Sequence, residues 1–158
     1  MGNFLNVQIC GNGHITSLDI EMYSFRFCPQ CGSQTFYSCP SCGEPIRGKY
    51  FEYDTLFVPE PPDQTPFYCH NCGKPYPWTQ KIIDNAIELL SLDENLDSDT
   101  KSIIKNAIPN LLVDTPETPV SVAKYRSAMS KTGQIVKDSM RQLLIDIITE
   151  SAKKIIYP

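Results

Sequence analysis

The sequence predicts a small metal-bound β region of two zinc ribbons, followed by an all-α region of three to four helices. Two observations lead to this fold class. All seven cysteines lie in the first half of the chain, whereas aliphatic residues at helical spacing dominate the second half. Paired Cys-x-x-Cys motifs complete tetrahedral zinc sites, and an aliphatic stripe is typical of a packed helix.

Four short ligand motifs, here called knuckles, contain every cysteine. Three are Cys-x-x-Cys pairs, and the first joins a cysteine to a histidine. The knuckles are Cys10–His14, Cys28–Cys31, Cys39–Cys42 and Cys69–Cys72. Glycine directly follows each of the last three knuckles, where a positive φ turns backbone N–H groups toward the thiolates. Seven thiols and one imidazole are enough ligands for two four-coordinate Zn²⁺ ions.

Two pairings of the knuckles satisfy this ligand count. Sequential pairing gives site 1 (Cys10, His14, Cys28, Cys31) and site 2 (Cys39, Cys42, Cys69, Cys72). Nested pairing would join the two central knuckles on one ion and the outer two on the other. We favour sequential pairing, because nesting must close a much longer loop before its metal binds. A disulfide framework would leave one of the seven cysteines unpaired.

The segments between the knuckles predict short strands. Residues 15–27 partly alternate between apolar and polar side chains, and they are long enough for a strand, a turn and a returning strand. Residues 47–53 read as another strand, and residues 58–63 as an irregular proline-rich loop. These strands would return each second knuckle to its partner, as in a zinc ribbon.

A change of composition near Thr79 predicts two domains, 1–79 and 80–158. Fourteen of the sixteen aromatic residues precede Thr79, and small ribbons depend on metal and aromatic packing because they have little aliphatic core. Thr79 is the expected N-cap of the first helix. We expect Trp78 to pack between the two domains.

The second domain should contain helices separated by proline and glycine. The spacing predicts one helix from about Ser98 to Ile108, ended or kinked by Pro109. A long helical stretch should then cover about 120–156, with Gly133 as the point where it could divide. We therefore expect a long C-terminal amphipathic helix.

The apolar band of that last helix is too broad for one small helical hairpin to cover. Its residues are Val136, Met140, Leu143, Leu144, Ile147 and Ile148. We expect a protein partner or a second copy of the chain to bury this band.

Several of the motifs carry a resemblance. The first knuckle and three longer motifs are similar to motifs of a bacterial family of unknown function. The longer motifs are Phe27-Cys-Pro-Gln-Cys-Gly32, Cys39-Pro-Ser-Cys42 and Cys69-His-Asn-Cys-Gly-Lys-Pro-Tyr-Pro-Trp-Thr79. The resemblance covers roughly residues 8–80. It implies a bacterial, cytoplasmic protein with an N-terminal double zinc ribbon, and it implies no activity. The short polar segment before Cys10 also lacks the features of a signal peptide.

Zinc ribbons commonly bind either nucleic acid or another protein, and the charge of the chain distinguishes between these two kinds of partner. Residues 1–79 carry four Lys/Arg against seven Asp/Glu, whereas phosphate binding needs concentrated positive charge. A nucleic-acid surface therefore remains the alternative, on the 47–53 strand or on the basic 120–141 helix. The candidate contacts are Arg47, Lys49, Lys124, Arg126, Lys131, Lys137 and Arg141.

The sequence favours a non-enzymatic, zinc-binding adaptor. Both predicted sites use four protein ligands, so neither keeps the open position that catalytic zinc needs. All cysteines are used as ligands, and His70 lies inside a knuckle, where we expect it to face solvent. The expected cofactors are two Zn²⁺ ions, and the expected partner is a protein or a second copy of the chain.

Overall fold

The computed structural model describes residues 2–52 and 56–158. The chain divides into two compact units, Met1–Lys81 and Ile82–Pro158. Tyr53, the last residue of one predicted strand, lies outside the described residues.

The first unit contains two small antiparallel sheets. Its strands are β1 (Gly2–Asn6), β2 (Gln8–Cys10), β3 (Ile15–Ser17), β4 (Thr35–Phe36) and β5 (Arg47–Glu52). Strands β1 and β5 form one sheet, with Phe4 opposite Tyr50, and the second sheet has the order β3-β2-β4. The sheets place the knuckles at strand ends and in the loops between strands.

The strand–turn–strand prediction for residues 15–27 is wrong in its second half. Only Ile15–Ser17 is a strand, because the Ser17 hydroxyl donates to the carbonyl oxygens of Asp19 and Tyr23 and folds the chain into an irregular turn. Such local side-chain bonds compete with strand pairing. The strand that returns beside β2 is β4, which lies after the second knuckle.

The core of the first unit combines aliphatic, aromatic and cysteine side chains. Its buried members are Val7, Ile9, Cys39, Ile46, Cys69, Tyr76 and Trp78. The rings of Tyr76 and Trp78 are stacked, with their centroids 4.8 Å apart. The Trp78 indole N–H donates to the Pro66 carbonyl at 2.8 Å, which satisfies its polar end. Trp78 therefore forms part of this unit's own core.

Helix α1 (Pro77–Ser91) begins two residues before the predicted cap. The Thr79 hydroxyl donates to the Phe67 carbonyl at 2.6 Å, so it ties the helix to the last loop of the first unit and does not cap the helix. Proline suits the first helical position because its missing N–H would have no partner there. The sequence signal for the start of α1 was Pro77.

Six helices occur in the described chain, more than the three to four predicted. After α1 come α2 (Ser98–Ala107), α3 (Pro109–Leu112), α4 (Thr118–Met129), α5 (Gln134–Leu144) and α6 (Glu150–Ile156). Pro109 ends one helix and begins the short α3, and Gly133 stands just before α5. No helix within residues 2–52 and 56–158 has the length and apolar character needed to cross a membrane.

The long C-terminal amphipathic helix is absent from the structure, because the chain leaves the helical path after Leu144. Thr149 caps α6 through its side chain, which accepts a hydrogen bond from the Ala152 N–H at 3.3 Å. The Thr149 N–H donates to the Leu111 carbonyl at 2.9 Å. A threonine N-cap with a tertiary backbone bond starts a new helix at this point.

The helical unit itself covers much of the apolar band predicted to bind a partner. Val136, Met140, Leu144 and Ile148 are buried in its core, and only Leu143 and Ile147 are half-buried. The break after Leu144 lets α6 pack against α4. The four buried residues are therefore not exposed for a partner to cover, in contrast to what the sequence had led us to expect.

Candidate metal centres

The three Cys-x-x-Cys knuckles share one backbone turn. In the Cys28 knuckle, the Gly32 N–H donates to the Cys28 carbonyl and the Cys28 N–H donates to the Ser33 carbonyl, both at 2.8 Å. The Cys39 and Cys69 knuckles repeat these two bonds at 2.8–2.9 Å. Each turn places a glycine in the left-handed region, with φ between 73° and 81° in these three knuckles. The turn holds the thiol groups toward one point.

The first knuckle is a variant that sequence reasoning described only in part. Its left-handed glycine is Gly13, with a φ of 91°, which lies before the second ligand. The Gly13 N–H donates to the Cys10 carbonyl at 2.9 Å, and the Cys10 N–H donates to the His14 carbonyl at 2.9 Å. The turn is closed one residue earlier than in the other knuckles, and the imidazole of His14 supplies the second ligand.

Centre 1 consists of Cys10, His14, Cys28 and Cys31. The Nδ1 atom of His14 lies 3.5 Å from the Cys10 sulfur and 3.8 Å from the Cys28 sulfur. The Cys10 and Cys31 sulfurs are 3.7 Å apart. Strand β2 carries the first ligand at its end, and β4 follows the second knuckle and pairs with β2. This pairing of strands brings the two knuckles together.

Centre 2 consists of Cys39, Cys42, Cys69 and Cys72. The Cys39 and Cys72 sulfurs are 3.7 Å apart, and so are the Cys42 and Cys69 sulfurs. In both centres, the four ligand atoms all lie within 4.8 Å of one another. The structure therefore groups the knuckles in sequential order and not in the nested order.

The spacing of the donor atoms fits a four-coordinate metal ion. A tetrahedral ion bonded to sulfur at about 2.3 Å holds its sulfurs about 3.8 Å apart, and it holds a nitrogen ligand about 3.6 Å from each sulfur. The observed 3.5–3.8 Å separations match these values. A disulfide would bring two sulfurs to about 2.05 Å. All seven cysteines in the structure are free thiols.

Two asparagines in equivalent knuckle positions donate to the ligand sulfurs. The backbone N–H of Asn12 lies 3.4 Å from the Cys10 sulfur, and its side-chain amide lies 3.3 Å from the Cys31 sulfur. Asn71 contacts Cys69 and Cys42 in the same way, at 3.4 and 3.6 Å. Each asparagine therefore links the two knuckles of its centre. Such donors stabilise thiolates and orient metal ligands.

Hydrogen bonding lowers the pKa of the Cys31 thiol to about 6. The main cause is the backbone N–H of Ser33, followed by the side-chain amide of Asn12. A lowered thiol pKa favours the thiolate, which is the form that binds metal.

His70, the second histidine of the chain, lies within the last knuckle. Its Nε2 atom is 3.4 Å from the Glu44 carboxylate. His70 is exposed and belongs to neither ligand set, in agreement with the expectation that it faces solvent.

The two candidate nucleic-acid contacts on β5 are engaged within the chain. Lys49 forms an ion pair with Asp63, whose carboxylate raises the lysine pKa. The Arg47 guanidinium lies over the Phe4 ring, 4.7 Å from the ring centroid. Of the two candidate contacts on β5, Lys49 is therefore in an ion pair and Arg47 is stacked on an aromatic ring.

The candidate cations of the helical unit remain near the surface. Lys124, Arg126, Lys131 and Arg141 are exposed, and Lys137 is half-buried. The Arg141 guanidinium lies 5.4 Å from the centroid of the Tyr157 ring. No aspartate or glutamate occurs between residues 118 and 137. These cations keep α4 and the start of α5 positively charged.

Comparison with known proteins gives one match. A family model described as "Uncharacterized protein conserved in bacteria (DUF2321)" matches residues 3–156. No curated protein and no solved structure matches the chain significantly.

Proposed function

We propose that this chain, which belongs to that family of uncharacterized bacterial proteins, is a non-enzymatic zinc-binding module for protein interactions. Its first unit would be a double zinc ribbon with one Zn²⁺ in each centre. The observation that carries the proposal is the complete donor set of each centre: three thiols and an imidazole in one, and four thiols in the other. The resemblance in the knuckle motifs also supports a cytoplasmic location.

The donor chemistry supports zinc in a structural role. Thiolate-rich tetrahedral sites are typical of structural zinc, whereas catalytic zinc has three protein ligands and one open position. Each knuckle buries its first cysteine, and two of these cysteines belong to the hydrophobic core. A metal held at this depth would stabilise the unit that contains it. The metal would thereby fix the surface that the first unit offers to a partner.

Charge supports a protein partner over a nucleic acid for the first unit. The chain has a formal net charge of −4. Binding two Zn²⁺ through seven thiolates would add a further −3, all of it in the first unit. Nucleic-acid affinity comes largely from phosphate neutralisation by clustered cations. The first unit lacks such a cluster among its described residues.

A nucleic-acid-binding accessory protein is the second candidate, because α4 has a positive surface. Lys124, Arg126 and Lys131 are exposed on or next to this helix, and residues 118–137 contain no acidic residue. A run of this kind is more often the solvated face of a helix. The two candidates predict different dependence on salt.

We expect the tagged, zinc-loaded chain to retain a protein partner from its native bacterium after nuclease treatment. We also expect no retention of the purified chain on immobilised single- or double-stranded nucleic acid at about 0.15 M salt. The measurement is quantitative identification of co-purified proteins, together with column retention over a salt gradient.

The double variant Lys124→Gln, Arg126→Gln separates the two candidates. Partner retention should survive in this variant. Nucleic-acid retention that falls steeply with salt and disappears in the double variant would contradict the proposal and favour the second candidate.

A further inference from the structure

Three pairs of ligand sulfurs lie 3.7 Å apart in the metal centres, and each pair joins a buried cysteine to an exposed one. The pairs are Cys10–Cys31, Cys39–Cys72 and Cys42–Cys69. Two thiols at this distance can form a disulfide after a small movement, because the bond itself needs about 2.05 Å. Distance and burial therefore do not distinguish the three pairs, whereas hydrogen bonds to the sulfurs do.

In the Cys10–Cys31 pair, both sulfurs accept hydrogen bonds. The backbone N–H groups of Asn12 and His14 donate to the Cys10 sulfur, at 3.4 and 3.3 Å. The Asn12 side-chain amide donates to the Cys31 sulfur at 3.3 Å. Lys81 donates to the Asn12 Oδ1 atom at 2.6 Å, which directs the amide nitrogen toward the sulfur. Such hydrogen bonds stabilise the charge of a thiolate and lower its nucleophilicity.

In centre 2, one asparagine donates to only one of the two pairs. The backbone N–H of Asn71 donates to the Cys69 sulfur at 3.4 Å, and its side-chain amide donates to the Cys42 sulfur at 3.6 Å. In the part of the chain that the structure describes, no side-chain amide donates to the Cys39 or the Cys72 sulfur. The Cys39–Cys72 pair is therefore the least protected of the three.

A serine occupies the asparagine position in the Cys39 knuckle. Ser41 lies two residues after the first cysteine of its knuckle, as Asn12 and Asn71 do in theirs. The shorter Ser41 side chain is exposed, and within the described structure its hydroxyl makes no hydrogen bond to a ligand sulfur. Cys72 therefore lacks the contact across the centre that Asn12 supplies in centre 1.

The backbone donors of the exposed thiols do not offset this difference. The Cys72 sulfur accepts from the Lys74 N–H, and the Cys31 sulfur accepts from the equivalent Ser33 N–H. The side-chain amide is what Cys31 has and Cys72 lacks. Cys72 is therefore the more nucleophilic of the two thiolates.

We propose that Cys72 is the ligand thiolate that hydrogen peroxide oxidises first in the zinc-loaded chain, and that Cys39 then forms a disulfide with it. The Cys72 thiolate attacks one peroxide oxygen, so an S–O bond forms while the O–O bond breaks and hydroxide leaves. The Cys39 thiolate attacks the resulting sulfenic sulfur, forms the S–S bond and displaces a second hydroxide. Two electrons pass from the two sulfurs to the peroxide, and two protons from solvent convert both hydroxides into water.

This disulfide would remove two of the four donors of centre 2. Cys42 and Cys69 alone do not complete a four-coordinate zinc site. Because Cys39 and Cys69 belong to the core of the first unit, the loss of zinc would also loosen the surface that this unit offers to a partner. The proposal rests on the zinc-binding role proposed above and gives that role a site of oxidative control.

The test adds limiting hydrogen peroxide to the zinc-loaded chain, whose zinc content is measured beforehand. Remaining thiols are blocked by alkylation, disulfides are mapped by tandem mass spectrometry, and released zinc is measured with a metallochromic indicator. We expect the first disulfide to be Cys39–Cys72. We also expect one zinc ion per chain to be released before centre 1 reacts, since each centre has its own four donors.

Two reciprocal substitutions test the role of the amide donors. Ser41→Asn places an amide where it can donate to Cys72, and it should slow the oxidation of centre 2 by about fivefold, the effect expected of one hydrogen bond. Asn12→Ser removes the amide from Cys31 and should speed the oxidation of centre 1 by a similar factor. The matched control is Ser102→Asn, which changes an exposed serine of the helical unit and should leave both rates unchanged.

All three substitutions change exposed side chains, and unchanged zinc content and circular dichroism before oxidation would establish that the variants are folded. Any first disulfide other than Cys39–Cys72 would overturn the proposal. So would equal oxidation rates of centre 2 in Ser41→Asn and Ser102→Asn. These results would leave the proposed function standing, whereas a chain that holds no zinc before peroxide is added would contradict both.

Discussion

Removing the metal should unfold the first unit and leave the helical unit largely folded. The strands of the first unit are only two to six residues long, and two ligand cysteines belong to its core. Zinc binding to small domains contributes about 10–16 kcal/mol of apparent free energy. Loss of the metal would also leave seven thiols or thiolates without the ion that holds them together.

Trp78 provides a specific measurement of this effect. It is the single tryptophan of the chain and is 2% exposed in the core of the first unit. Chelation should shift its fluorescence emission to longer wavelength while much of the helical circular dichroism remains, and added zinc should reverse the shift. The control is the same protein treated with the same chelator after the chelator has been saturated with zinc. Unchanged Trp78 emission after complete metal removal would show that the metal does not support the fold.

Leu144→Ala should destabilise the helical unit by about 2–5 kcal/mol, because it creates a cavity at a fully buried position. Leu143→Ala, at the neighbouring half-buried position, should have a much smaller effect. The measurement is urea unfolding followed by circular dichroism at a helical wavelength. Zinc content should be the same in both variants.

This pair of leucines tests whether α5 packs within its own chain. Similar small losses of stability in the two variants, with loss of an oligomer, would restore the original expectation that a partner covers the band. A large loss at Leu144 alone would agree with its burial in the helical unit.

The metal centres could be predicted from the sequence because local spacing determines them. A Cys-x-x-Cys-Gly turn brings its thiol groups together whatever surrounds it, and the order of the knuckles limited their pairing to two choices. Gly13 was missed because it precedes the second ligand, whereas the other knuckle glycines follow theirs. A glycine inside Cys-Gly-Asn-Gly-His was the available signal.

The helical unit was harder to predict because tertiary contacts determine its breaks. The apolar spacing from Val136 to Ile148 is compatible with one continuous helix. The Thr149 N–H instead bonds to the Leu111 carbonyl, and the Gly133 N–H bonds to the Asp93 carboxylate at 2.8 Å. Both partners are distant in sequence. The glycine at position 133 indicated the first break, whereas no local pattern could reveal the bond that starts α6 at Thr149. The same breaks explain why an apparent surface band is mostly core.

The most direct test of the two-centre account is the metal content of protein purified without added metal. Elemental analysis should compare the wild type with the variants His14→Ala and His70→Ala. The account predicts two zinc ions in the wild type, one for each four-donor centre. His14→Ala should lower the content toward one, because centre 1 loses its imidazole, whereas His70→Ala should keep two because His70 belongs to neither ligand set. One zinc or none in the wild type, or equal losses in the two histidine variants, would contradict the account.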